Sequence, residues 1–156
     1  MDWIHLHLAL NHIPVLGTPF LLCFLLWSWQ KGQSATIRFC VEMFAMLALA
    51  SIAIKFTGDF AAEQIPPSPE FEKRLIDRHE QSADQATTGV FVMGVAAVVS
   101  LLLSRGGRPL PKWSLPLIAA LALATCLLMA RTAQLGGHIR HPEIRPSNPV
   151  LDQNNR

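Results

Sequence analysis

The chain has 156 residues, about half of them apolar, with 15% charged and a formal net charge of +2. Soluble domains average roughly 25% charged residues, and the deficit here is uneven, because long uncharged stretches alternate with short charged ones. The basic residues are split among short loops and a tail and form no stripe, which speaks against a nucleic-acid partner.

A bilayer core about 30 Å thick needs roughly 20 apolar residues of helix, and four stretches reach that length. The first, about 6–29, carries no Asp, Glu, Lys or Arg. A cleavable leader would need a basic start and a small-residue cleavage site. This stretch is preceded by Asp2 and ends in Trp27-Ser28-Trp29, so it is expected to be a span. Pro14 and Pro19 each remove one backbone hydrogen bond, which leaves the carbonyls of Leu10 and Val15 without their helical donors. A kink just below His12 is expected to aim that imidazole inward.

The second stretch, about 37–56, has Glu42 and Lys55 near its ends. Glu42 is spaced to pair with Arg38 one turn earlier, and Lys55 to snorkel toward the interface. The following connection is acid-rich: Asp59, Glu63, Glu70, Glu72, Asp77, Glu80 and Asp84. Thr57-Gly58 reads as a helix end. Pro66-Pro67 cannot lie inside a helix. Ser68-Pro69 reads as an N-cap and first helical residue, with Glu70 and Glu72 in the first turn. The third helix is therefore expected to begin at about 69 and to stand three or four turns above the membrane before crossing at about 86–104. It carries a stripe of mostly small residues: Ser82, Ala86, Gly89, Met93, Ala96 and Ser100. The stripe suits close helix packing or room for a flat cofactor. The fourth span is about 113–130, followed by Leu135-Gly136-Gly137 and a tail at 138–156. The fold class expected is all-α, an integral membrane bundle of four transmembrane helices.

Orientation follows from Lys and Arg in short loops. Lys31 and Arg38 lie between spans one and two, and Arg105, Arg108 and Lys112 between spans three and four. These loops are expected in the cytoplasm, with both termini and the acidic connection on the outer, periplasmic or extracytoplasmic, side of a bacterial inner membrane. Trp3 at one interface, and Trp27, Trp29 and Trp113 at the other, suit aromatic belts. Cys23, Cys40 and Cys126 all lie in apolar stretches without a C-x-x-C pair, which reads as small buried hydrophobes.

All six histidines fall on the outer side. His5, His7 and His12 open the first span, His79 lies in the extension of the third helix, and His138 and His141 follow the fourth. Asn11, Asp59, Glu63, Glu80, Asp84, Arg131 and Gln134 share that end. Ionisable groups at a membrane are costly and usually pair in the bundle interior, so a polar pocket is expected there.

Asn11-His12-Ile13-Pro14-Val15-Leu16-Gly17, Thr57-Gly58-Asp59, His79-Glu80 with Asp84, and the run from Arg131 through Gly136-Gly137-His138 to Arg145 together resemble a group of small bacterial four-helix membrane proteins. More distantly they resemble a domain-of-unknown-function family of predicted membrane proteins. That family has a His-Phe-Pro-like motif in its first helix, a histidine opening its third and a Gly-Gly motif after its fourth. The resemblance covers roughly residues 5–145. It implies ligand roles for His12, His79 and His138 and company with electron-transfer proteins. This chain has Ile13 in place of the family's Phe, and an Arg-His tail where the family is more apolar.

Three functions remain open. A b-type haem would take His12 and His79 as axial ligands, with Asn11 nearby and Arg131 or Arg140 near a propionate; bundles commonly build such sites between facing helices. His79 stands about 10 Å above the hydrocarbon edge at 1.5 Å per residue, whereas His12 lies near it. A zinc or copper site would draw on His12, His79, His138, Glu80 and Asp59. Alternatively the chain is a non-enzymatic subunit or scaffold whose outer cluster is structural or docks a partner. A proton pathway has the least support, because Glu42 and Lys55 both sit near span ends. No hydrolase triad, P-loop or dinucleotide fingerprint is present. The partners expected are the lipid bilayer, a periplasmic or membrane redox protein, and further copies of the chain or a larger complex.

Overall fold

The computed structural model describes residues 2–64 and 70–141. Among them the chain is all-helical: α1 (Trp3–Leu10), α2 (His12–Gln30), α3 (Ser34–Glu63), α4 (Glu70–Leu103) and α5 (Ser114–Arg140). Pro66-Pro67, the Ser68-Pro69 cap and most of the tail lie outside the described residues.

Asp2 starts α1 by accepting from the backbone N–H groups of Ile4 and His5. The pause at Asn11 between α1 and α2 has a covalent cause: Pro14 offers no N–H to the Leu10 carbonyl. The two segments still form one run, Trp3–Gln30. With Ser34–Glu63, Lys73–Leu103 and Ser114–Ile139 it gives four helices long and apolar enough to cross a membrane.

The four runs pack side by side in chain order, and α2 closes the ring against α5. Leu25, Cys40, Val41, Phe44, Met93, Ala97, Ile118 and Ala122 fill the centre with no exposed surface. The outer faces are as apolar as the core. Phe20 is 70% exposed, Leu127 67% and Leu16 62%, a belt suited to lipid contact and unsuited to water.

Five buried hydroxyls are satisfied without crossing between helices. Thr18, Ser28, Ser51, Ser100 and Thr125 each donate to the carbonyl four residues back in their own helix, at 2.7–2.9 Å. That bond removes the cost of an unpaired hydroxyl in an apolar interior. α4 packs closely on both neighbours. A Cβ on Gly89, in the stripe, would lie 2.8 Å from Thr125 Oγ1 of α5, and one on Gly94, outside the stripe, 2.3 Å from the Ala48 methyl of α3. At Gly89 the stripe packs against Thr125 and Leu128 of α5.

The bundle has two unlike ends. At the loop end the chain reverses through Gly32, Gly106 and Gly107, all at positive φ, where a side chain would be strained. Arg38 donates to Glu42 at 3.2 Å, as the spacing predicts, and to Ser104 Oγ at 3.1 Å. At the terminal end two glycine motifs that read as helix ends are helix interior. α3 continues through Thr57-Gly58 to Glu63, and α5 through Gly136-Gly137 to Arg140. His138 is therefore in the last turns of α5. These glycines provide clearance, and what they clear is the candidate site.

Candidate functional site

Three half-buried imidazoles stand at the terminal end, and two of them, one from α1 and one from α4, lie over glycines. His7 lies over Gly58 of α3: a Cβ there would be 2.9 Å from His7 Cε1. His79 lies over Gly136 of α5, where a Cβ would be 3.1 Å from His79 Cε1. Each ring therefore occupies the space a side chain would take on the neighbouring helix. Both rings stand at the end of the bundle that also carries Asp59.

Hydrogen bonds assign both tautomers. His79 Nδ1 lies 3.1 Å from the Thr132 carbonyl, which can only accept. Thr57 Oγ1 spends its proton on the Ile54 carbonyl at 2.7 Å. It is therefore an acceptor for His7 Nδ1, 3.2 Å away. In the neutral imidazole both rings then carry the proton on Nδ1 and a lone pair on Nε2. The side-chain bonds of both rings run through Nδ1. Imidazoles that ligate metals are commonly fixed in this way, with one nitrogen donating to the protein and the other left to coordinate. Below the pair, Ser82 Oγ and Thr132 Oγ1 are 2.9 Å apart, and Thr132 also donates to the Leu128 carbonyl at 3.0 Å.

The residues singled out by sequence take different places. His12 is exposed, and its Nδ1 donates to the Leu8 carbonyl of its own helix run at 2.7 Å. It is not aimed inward. The interior face of this run passes through His7, Asn11, Pro14, Thr18, Leu22 and Leu25. His12 is five residues from His7, and at 3.6 residues per turn five steps turn the side chain by about 140°. Asn11 is half-buried on the interior face. Glu80 and Arg131 are exposed. Asp59 is exposed and paired with Lys55 at 3.3 Å, while Lys55 also reaches Asp84 at 2.9 Å and so ties α3 to α4. His138 is half-buried, and Arg140 ends α5 with its side chain outside the described part. Among the described residues no three His, Cys, Asp or Glu side chains gather as a metal group. The chain matches no known family, no curated protein and no solved structure.

Sequence reasoning passed over His7. The signal that finds it is its spacing from Pro14 and Thr18, at seven and eleven residues, which places it on their helix face.

Proposed function

We propose that this chain is a multi-pass protein of a bacterial inner membrane, with both termini outside, and that it binds a redox metal at its outer end through His7 and His79 to pass electrons. The observation that carries the reading is the shared arrangement of these rings: each is fixed through Nδ1, each offers a lone pair on Nε2, and they come from different helices of one end. His7 also lies five residues, about 7.5 Å at 1.5 Å per residue, further out than His12. The depth mismatch between His12 and His79 is thereby reduced.

Two imidazoles suit a haem iron or a copper ion better than zinc, which takes four ligands in structural sites and three protein ligands in catalytic ones. Thr125 and Leu128 fill the α4–α5 contact beneath His79, so a haem b would have to lie on the side of His79 facing α1. The orientation rests on Lys31, Arg38, Arg105, Arg108 and Lys112 at the loop end. The likeness to small four-helix membrane proteins is part of the same reading, as is a periplasmic or membrane redox partner.

The test is a visible spectrum and elemental analysis of protein purified in detergent. A Soret band that shifts on reduction, or one copper per chain, is expected. His7→Ala and His79→Ala should abolish it, and His12→Ala should not. Colourless, metal-free protein with both rings intact overturns the reading. One further observation favours a scaffold. Both rings are already hydrogen-bonded and seated on glycines, so they also serve as ties between helices. In that case His7→Ala lowers stability and changes no spectrum.

A further inference from the structure

At the loop end a cleft of about 260 Å³ opens between α3 and α4, lined by Arg38, Glu42, Val98, Leu101, Leu102 and Arg105. Its two halves differ in chemistry. Val98 and Leu102 form an apolar wall, 44% and 45% exposed, on the outer face of α4. Arg38 and Arg105 stand where that wall meets the helix ends. Arg38 is oriented by Glu42 and by Ser104 Oγ. Arg105 is exposed and forms no ion pair among the described residues. Two guanidinium groups therefore face one carboxylate, and Lys31, Arg108 and Lys112 add positive charge in the adjoining loops. The exposed indoles of Trp27, Trp29 and Trp113 lie at this same end, which suits the headgroup level of a membrane.

We propose that this cleft holds one anionic phospholipid, with its phosphodiester on Arg105 and Arg38 and an acyl chain along Val98, Leu101 and Leu102. Guanidinium recognises phosphate through paired N–H donors, and basic pockets between spanning helices commonly take anionic headgroups. Charge selects the lipid class: a net cationic cleft favours phosphatidylglycerol over a zwitterionic headgroup. The inference rests on the reading of the chain as a membrane protein and is independent of the histidine site.

The experiment is native mass spectrometry of the protein released from nanodiscs containing equal phosphatidylglycerol and phosphatidylcholine. Wild-type protein is expected to retain phosphatidylglycerol over phosphatidylcholine by about five-fold, the factor that one basic side chain contributes at a charged surface. Arg105→Gln should bring the ratio to about one, Arg105→Glu should not restore it, and Arg105→Lys should keep most of it. Arg78→Gln, at the opposite end, should leave it unchanged. Helical circular dichroism and a single size-exclusion peak certify each variant. If Arg105→Gln fails them, the Arg105→Lys and Arg105→Glu pair decides on charge alone. An equal ratio in wild type and Arg105→Gln overturns the proposal. So does loss of the retained lipid on adding millimolar inorganic phosphate, which would mark a soluble-anion site. Release of the protein from membranes by alkaline carbonate would instead sink the membrane reading.

Discussion

The loop end and the terminal end are built from opposite uses of the same residue type. At the loop end glycine supplies positive φ: Gly32, Gly106 and Gly107 turn the chain with open space around them. At the terminal end Gly58 and Gly136 are ordinary helix, and each admits an imidazole from another helix. A glycine that turns the backbone ends an element, whereas a glycine that makes room lets an element continue. The first kind leaves a short basic loop, and the second leaves a seat for an imidazole.

Substituting the clearance glycines is the strongest way to break this contrast. Gly58→Ala forces His7 off Thr57 and should cost about 1–3 kcal/mol by overpacking. It should also reproduce the metal loss of His7→Ala, read by elemental analysis. Gly136→Ala, with 3.1 Å of clearance in place of 2.9 Å, should do the same more weakly. Equal metal content in Gly58→Ala and wild type would mean that His7 is not a ligand.

An effect of opposite sign is expected at the loop end. Ser114 Oγ is buried without a hydrogen-bond partner among the described residues, and an unsatisfied buried hydroxyl costs about 1–3 kcal/mol. Ser114→Ala should therefore raise the thermal midpoint in detergent, and a lowered midpoint would refute the assignment. Lys55→Met removes the pairs to Asp59 and Asp84, both half-exposed. It should cost no more than about 1 kcal/mol, with the difference fading in high salt.

The smallest effect is at the start of α1. His5, hydrogen-bonded to Asp2, and the backbone N–H groups of His5 and Ile4 hold the Asp2 carboxyl below the usual carboxylate range. A carboxyl depressed in the folded state stabilises it above the unfolded pKa and loses that contribution as pH falls through the folded one. Amide exchange at Ile4 and His5 should therefore accelerate, relative to Leu22, as the solution is acidified below the ordinary range for aspartate. Asp2→Asn should remove that pH dependence.

The four helices were legible because length and hydropathy alone set a span. The two reversals were legible because each is a short basic stretch between two apolar spans. The Arg38–Glu42 pair followed from spacing. What stayed hidden was rotation about the helix axis. The first helical run is apolar on every side, so its own sequence barely distinguishes the face of His7 from that of His12. The choice is made by α3, where Gly58 leaves a ring-sized space at the level of His7. The same gap in knowledge misplaced the ends of α3 and α5. Thr57-Gly58 and Gly136-Gly137 look like terminators until the ring that needs the space is placed above each.

The self-bonded hydroxyls carry a mechanical consequence. Because Thr18, Ser28, Ser100 and Thr125 spend their protons within their own helices, they stitch no helix to another. His79 and Ser82 of α4 both bond to Thr132 of α5, near the histidines. Between α3 and α4, by contrast, Lys55–Asp84 fastens one end and Arg38–Ser104 the other. The rest of α5 is seated by shape, with Ile118, Ala122 and Met129 in the core. Thr132 therefore does two jobs at once: it keys the position of α5 along α4, and it holds the ring of His79.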